Sequence, residues 1–172
     1  RGAQFKCKVP GVDTPCAFST VCDVSVGAAV LQRVQYRVRD LDSYGISDRE
    51  AAAALVLGIV DVDGVGGATM ADDLLCYLDM PEGTASALQG QLCGDLRGIY
   101  IRHGNETRRV DDVTVDVPMF TRSVDDGQGR LMNGFMAMLR FMAQPRLFKF
   151  FRVTGLKRWF DAANGLPLEL IF

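Results

Sequence analysis

Ser47-Asp48-Arg49-Glu50, followed by Ala51-Ala52-Ala53-Ala54-Leu55-Val56-Leu57-Gly58-Ile59-Val60-Asp61-Val62, is the stretch whose reading decides the fold. Ser47 has the hydroxyl of a helix N-cap, and Glu50 stands three residues on. That is the spacing of a reciprocal capping box, which satisfies two of the orphan amides of a first turn. Ala51 to Val62 is small or apolar on nearly every face, so the stretch predicts a central, buried helix. Asp61-Val62-Asp63-Gly64-Val65-Gly66-Gly67 then breaks it.

Upstream, Val30, Leu31, Val34, Val38 and Leu41 recur at helical spacing, and Tyr44-Gly45 closes that second helix with a glycine after the last turn. Residues 1–26 are rich in Gly, Pro, Cys and Ser/Thr and read as an irregular, extended N-terminal arm. Downstream, Thr69 with Asp72 caps a helix through Leu78, and another starts at Thr84 and runs to Gly94. The period changes at 97–117. Gly98 to Arg102 alternates, His103-Gly104-Asn105-Glu106 makes a turn, and Val113 to Val117 alternates again, which predicts a β-hairpin ended by Pro118. Ser123 with Asp126 opens the last helical half. Arg130 to Ala143 carries Leu131, Phe135, Met138, Leu139 and Met142 at core spacing before Pro145 stops it. Arg146 to Phe151 and Thr154 to Ala163 are shorter helical segments. The expected fold is mainly α: one helical core domain over 27–172, with a hairpin near 97–117 and the arm in front.

The length of 172 residues suits one domain with a real core. Apolar content of 48% with 23% charge excludes a disordered tail. No apolar run approaches the roughly 20 residues needed to cross a bilayer, so no membrane contact is expected. No signal-peptide pattern is visible, and the start at Arg1 points to a processed or trimmed N-terminus. Cys7, Cys16, Cys22, Cys76 and Cys93 form no Cys-x-x-Cys and match no common zinc spacing, so neither a metal nor any cofactor is expected. Reduced, mostly buried thiols in an intracellular setting are the first reading, with a Cys7–Cys16 or Cys16–Cys22 disulfide as its rival.

Charge is unevenly distributed. Residues 1–129 carry 12 Lys/Arg against 19 Asp/Glu, whereas 130–172 carry 7 against 2. From Arg130 to Arg158 there is no acid at all: Arg130, Arg140, Arg146, Lys149, Arg152, Lys157 and Arg158 alternate with phenylalanines. Cations beside aromatics are what a groove for single-stranded nucleic acid needs. The bland alternative is a solvated face, but such faces normally mix signs. Met132, Met136, Met138 and Met142 with Phe135 and Phe141 read first as core and second as a partner groove.

Catalytic signals are weaker. His103 is the one histidine and falls in the expected turn, without a nucleophile context, so no catalytic residue is assigned and no enzyme is expected. Asp61-x-Asp63-x-x-Gly66 with Asp72 imitates part of a calcium loop, but Val65 stands where an oxygen ligand belongs.

Arg130-Leu131-Met132-Asn133-Gly134-Phe135 and Lys157-Arg158-Trp159-Phe160-Asp161-Ala162-Ala163-Asn164-Gly165-Leu166, with Gly98 to Gly104, resemble the core of coat proteins of flexuous filamentous plant viruses, of potexvirus, potyvirus and closterovirus type. The resemblance implies a helical core, a structural pair between Arg130 and Asp161, and a non-enzymatic capsid subunit of the virion. It further implies packaging of single-stranded RNA in a helical filament of copies joined through the N-terminal arm, made in the host cytoplasm. RNA contacts are then expected from Arg140, Arg146, Lys149, Arg152 and Arg130, independent of sequence. The second functional reading is an accessory or scaffold subunit of a large ribonucleoprotein, protein or membrane complex, whose basic face meets RNA or an acidic neighbour.

Overall fold

The computed structural model describes residues 3–8, 10–11, 14–19, 27–46, 48–61, 72–118, 130–163 and 167–172. In chain order they form β1 (Gln4–Cys7), β2 (Cys16–Ser19), β3 (Ala29–Arg37), β4 (Ala54–Asp61), β5 (Asp73–Tyr77) and α1 (Glu82–Gly94). Then come β6 (Ile99–His103), β7 (Glu106–Val110), β8 (Thr114–Asp116), α2 (Arg130–Ala143), β9 (Phe150–Thr154), α3 (Lys157–Ala163) and β10 (Leu168–Ile171). Short 3-10 turns span Leu41–Tyr44 and Pro145–Lys149. The expectation of a mainly α fold fails, because strand outweighs helix among the described residues.

The decisive stretch is a strand. Ala54, Leu55, Val56, Leu57 and Ile59 are all at least 94% buried, so β4 is covered on both faces. A strand with two apolar environments reads as a continuous apolar run with no alternation, which sequence alone does not separate from a buried helix. The amide of Glu50 donates to Asp48 Oδ1 at 2.9 Å and its carboxylate pairs with Arg97, while its expected cap partner Ser47 lies outside the described residues.

The second expected helix is strand β3, and its false helical period has a cause. The β3–β4 register shifts between Leu31 and Arg33, so Leu31 opposes Ile59 and Val34 opposes Leu57. One inserted residue places Leu31 and Val34, three apart, on the same face. A bulged strand thereby imitated a helix.

Five strands in the order β3-β4-β10-β6-β7 make one antiparallel sheet, and β5-β9-β8 make a second. β1 and β2 pair separately, so the segment expected to be irregular holds a two-stranded ladder. The hairpin near 97–117 returns earlier than its alternation implied. β6 pairs with Glu106–Val110, while Thr114–Asp116 joins β9 in the other sheet. The expected helix ending at Leu78 is strand β5, held against Phe150–Thr154.

The main core lies between one face of the large sheet (Leu55, Leu57, Ile59, Ile99, Ile101, Leu168, Leu170) and a layer from α1, α3 and the small sheet (Ala85, Leu92, Phe160, Phe151, Val153). A smaller core on the opposite face joins Val56 and Ile171 to Tyr44 and Ile46 from the segment before β4. Fully burying a side chain of this size contributes about 1.5–3 kcal/mol. Cys7 and Cys93 are exposed and, with Cys16 and Cys76, are free thiols, so the expectation of mostly buried cysteines does not hold. The Ser47, Thr69 and Ser123 caps, Asp63 and Gly66 of the calcium-like loop, and Cys22 lie outside the described residues.

Candidate interaction surface

The acid-free stretch folds so that acids from elsewhere reach it. Arg152 on β9 grips Asp116 on β8 with two bonds, Nε to Oδ1 at 3.1 Å and a terminal nitrogen to Oδ2 at 2.6 Å. That bond to Asp116, against the opposing effect of burial, holds the Arg152 guanidinium above its ordinary pKa. Lys157 lies 3.5 Å from Asp161 along α3, and Arg158 pairs with Asp112 while stacking 4.8 Å from the Trp159 ring centre. Asp161, expected to pair with Arg130, has Lys157 beside it; the Arg130 side chain lies outside the described residues.

Arg140, Arg146 and Lys149 remain. Among the described residues no carboxylate comes within ion-pair distance of any of the three. They fall on the last turn of α2 and the 3-10 turn after it. Buried Gln89 of α1 fixes this turn by donating its amide to the Phe148 and Phe150 carbonyls, and the Leu78 amide donates to Lys149 O at 2.9 Å.

Around these cations the surface is apolar. Phe135, Met138, Leu139, Phe141 and Met142 of α2 are 53%, 54%, 42%, 45% and 74% exposed, so the residues read as core face outward. Phe141 meets Phe148 edge-on with ring centres 5.3 Å apart, joining α2 to the 3-10 turn that leads into the small sheet. There Tyr77 packs on Phe150 at 4.9 Å, and the Lys149 ammonium sits 4.9 Å from the Tyr77 ring centre. An amphipathic helix with its apolar side in water is a docking element.

A second cluster lies on the large sheet and was missed in the sequence. Across the strands the register sets Arg33, Gly58, Glu169, Arg102 and Thr107 in one row. Glu169 Oε2 is 2.7 Å from Arg102 Nε, although the N–H does not aim along the contact and the oxygen takes no well-formed hydrogen bond. Arg102 also lies 4.8 Å over the Tyr44 ring. The available signal was the alternation Arg33-Val34-Gln35-Tyr36-Arg37-Val38, hidden by the bulge before it. His103 ends β6 half-buried, beside a cleft of about 190 Å³ lined by Trp159 and Leu168. Among the described residues no helix is long and apolar enough to cross a membrane, and no group of three or more metal-ligating side chains forms.

The type VI secretion system TssF family model matches residues 1–172. In a cryo-electron microscopy structure of a type VI secretion system TssK-TssF-TssG baseplate subcomplex, one chain matches this fold with a TM-score of 0.69 at 17% identity. The match takes in 99% of this chain and 31% of that one, so this chain spans about a third of its structural relative. Among curated proteins no relative matches. These findings overturn the viral-coat resemblance, and with it the RNA-packaging role, the single-stranded RNA partner, the self-polymerising filament and the virion setting. The short aromatic and basic motifs that carried the resemblance occupy a different architecture, in which Asp161 sits on a seven-residue helix beside Lys157. The chain belongs to the TssF family of the type VI secretion system.

Proposed function

We propose that this chain is a structural, non-catalytic part of a TssF-type baseplate subunit and that α2 with the turn after it is a docking surface for neighbouring baseplate proteins. The observation that carries this reading is the exposed apolar side of α2, beside Arg140, Arg146 and Lys149, which have no carboxylate at ion-pair distance among the described residues. Of the two functional readings drawn from the sequence, the accessory or scaffold subunit is the one the family favours. The structural relative sits in a TssK-TssF-TssG subcomplex, which makes TssK-type and TssG-type subunits the partners to test. The experiment is co-purification of the chain with TssG and TssK from one system, comparing wild type with Phe135→Asp and Met138→Asp. Loss of either partner with an unchanged circular dichroism spectrum supports the reading, and full retention of both overturns it.

A further inference from the structure

We propose that the free edge of β3 accepts an extended strand from a partner protein whose residues alternate acidic and apolar. This surface is distinct from α2, on a different sheet.

The two edges of the large sheet are built differently. β7 is five residues long and presents Glu106, Arg108 and Arg109, the charged, short form that discourages strand addition. β3 is nine residues long, and among the described residues no strand pairs with its outer side. From Arg33 onward its side chains divide by face, while Val30 before the bulge lies on the same face as the arginines. Leu31, Val34 and Tyr36 oppose Ile59, Leu57 and Leu55 and so continue the core face of the sheet. Yet they are 49%, 57% and 52% exposed, an apolar ledge that stays half open although the Tyr36 hydroxyl donates to Gln91 of α1 at 3.3 Å. Arg33, Gln35 and Arg37 lie on the other face, opposing Gly58, Val56 and Ala54.

The charges on that second face say what is wanted. Gln35 Oε1 receives Arg33 at 2.6 Å, Arg37 through two nitrogens at 3.2 and 3.0 Å, and the Tyr44 hydroxyl at 3.2 Å. An amide oxygen has two lone pairs, so these donors outnumber the acceptor capacity. Glu169, the carboxylate nearest Arg33 at 3.5 Å, is already shared with Arg102, and among the described residues Arg37 has no carboxylate at ion-pair distance. A strand added along β3 puts its side chains alternately on the two faces. Acidic residues opposite Arg33 and Arg37 would supply the missing acceptors, and apolar residues between them would cover Val34 and Tyr36. A second copy of this chain fits badly, because antiparallel β3–β3 pairing centred on Gln35 sets Arg33 against Arg37.

The test uses the 172-residue chain and a synthetic peptide as long as β3, nine residues, alternating glutamate and valine. Binding is read by fluorescence anisotropy and its location by amide hydrogen exchange. The expected result is slowed exchange confined to β3. Binding should weaken about tenfold in Arg37→Glu, with a lysine–valine peptide gaining affinity for that variant. Among the described residues Arg37 pairs with no acid, so that variant is expected to keep the fold, and Val34→Lys checks the apolar ledge independently. The proposal is overturned if β3 exchange is unchanged by the peptide, or if a peptide with glutamates and valines in two blocks binds equally well. β3 protection that rises with protein concentration alone also overturns it, by showing self-pairing.

Discussion

Arg33 on β3 reaches Glu169 on β10 at 3.5 Å by crossing β4 at Gly58, where no side chain stands between them. A Cβ on Gly58 would lie 3.1 Å from Arg33 Cβ, so the glycine is what lets one strand reach past the next. Gly58→Val should therefore cost about 1–3 kcal/mol through overpacking. Glu169→Gln, which strips two arginines of their shared carboxylate, should cost about 1–3 kcal/mol. Denaturant unfolding of both variants checks this; a cost under about 0.5 kcal/mol for either would show that the row is not a stabilising element.

Gly155 follows β9 with φ +86°, a backbone conformation that L side chains rarely adopt, and a Cβ there would collide with the Asp112 carbonyl oxygen. Gly155→Ala is expected to destabilise by more than about 1 kcal/mol, combining left-handed strain with a backbone clash. A thermal midpoint within a degree or so of wild type would contradict this placement.

Side chains on α2 and in the core should behave oppositely. Met142→Ala and Phe135→Ala remove exposed groups and should leave the isolated chain within about 0.5 kcal/mol of wild type. Phe151→Ala, at a residue 2% exposed, should cost about 3–5 kcal/mol. Equal losses would mean that α2 packs on the core in solution.

Cys7 and Cys16 face each other directly across the β1–β2 ladder as free thiols, a placement compatible with cross-strand oxidation. Mild oxidant should link them, seen by mass spectrometry as a crosslinked peptide absent from Cys7→Ser. Cys76 should lag in alkylation at about pH 8.5, because burial pushes its thiol up to about 11. Since that folded-state value is raised, the thiol's favourable contribution is full below the ordinary thiol range and lost as pH rises towards 11. Alkylation of Cys76 as fast as exposed Cys7 would overturn the burial.

How far the chain could be read in advance varied with the kind of signal. The helix expected from Thr84 to Gly94 is α1, Glu82–Gly94, and Arg130 to Ala143 is α2, because each is bounded by residues that end helices locally. Strand β10 was not foreseen: Leu168–Ile171 is four residues long, and only its neighbours β4 and β6 make it a strand. The resemblance to viral coats drew on motifs short enough to recur in unrelated folds.

The sequence by itself determined the apolar and charged inventory, the local helix boundaries and the run from Arg130 to Arg158 without an acid, since these depend on neighbours along the chain. Tertiary structure alone decided that Ala54–Asp61 is a strand, because burial on both faces erases the period that would distinguish it. It alone decided which cations stay available. Ion pairing depends on distance in space, and Asp116 and Asp112 come from far along the chain to meet Arg152 and Arg158, leaving Arg140, Arg146 and Lys149 beside an exposed apolar helix.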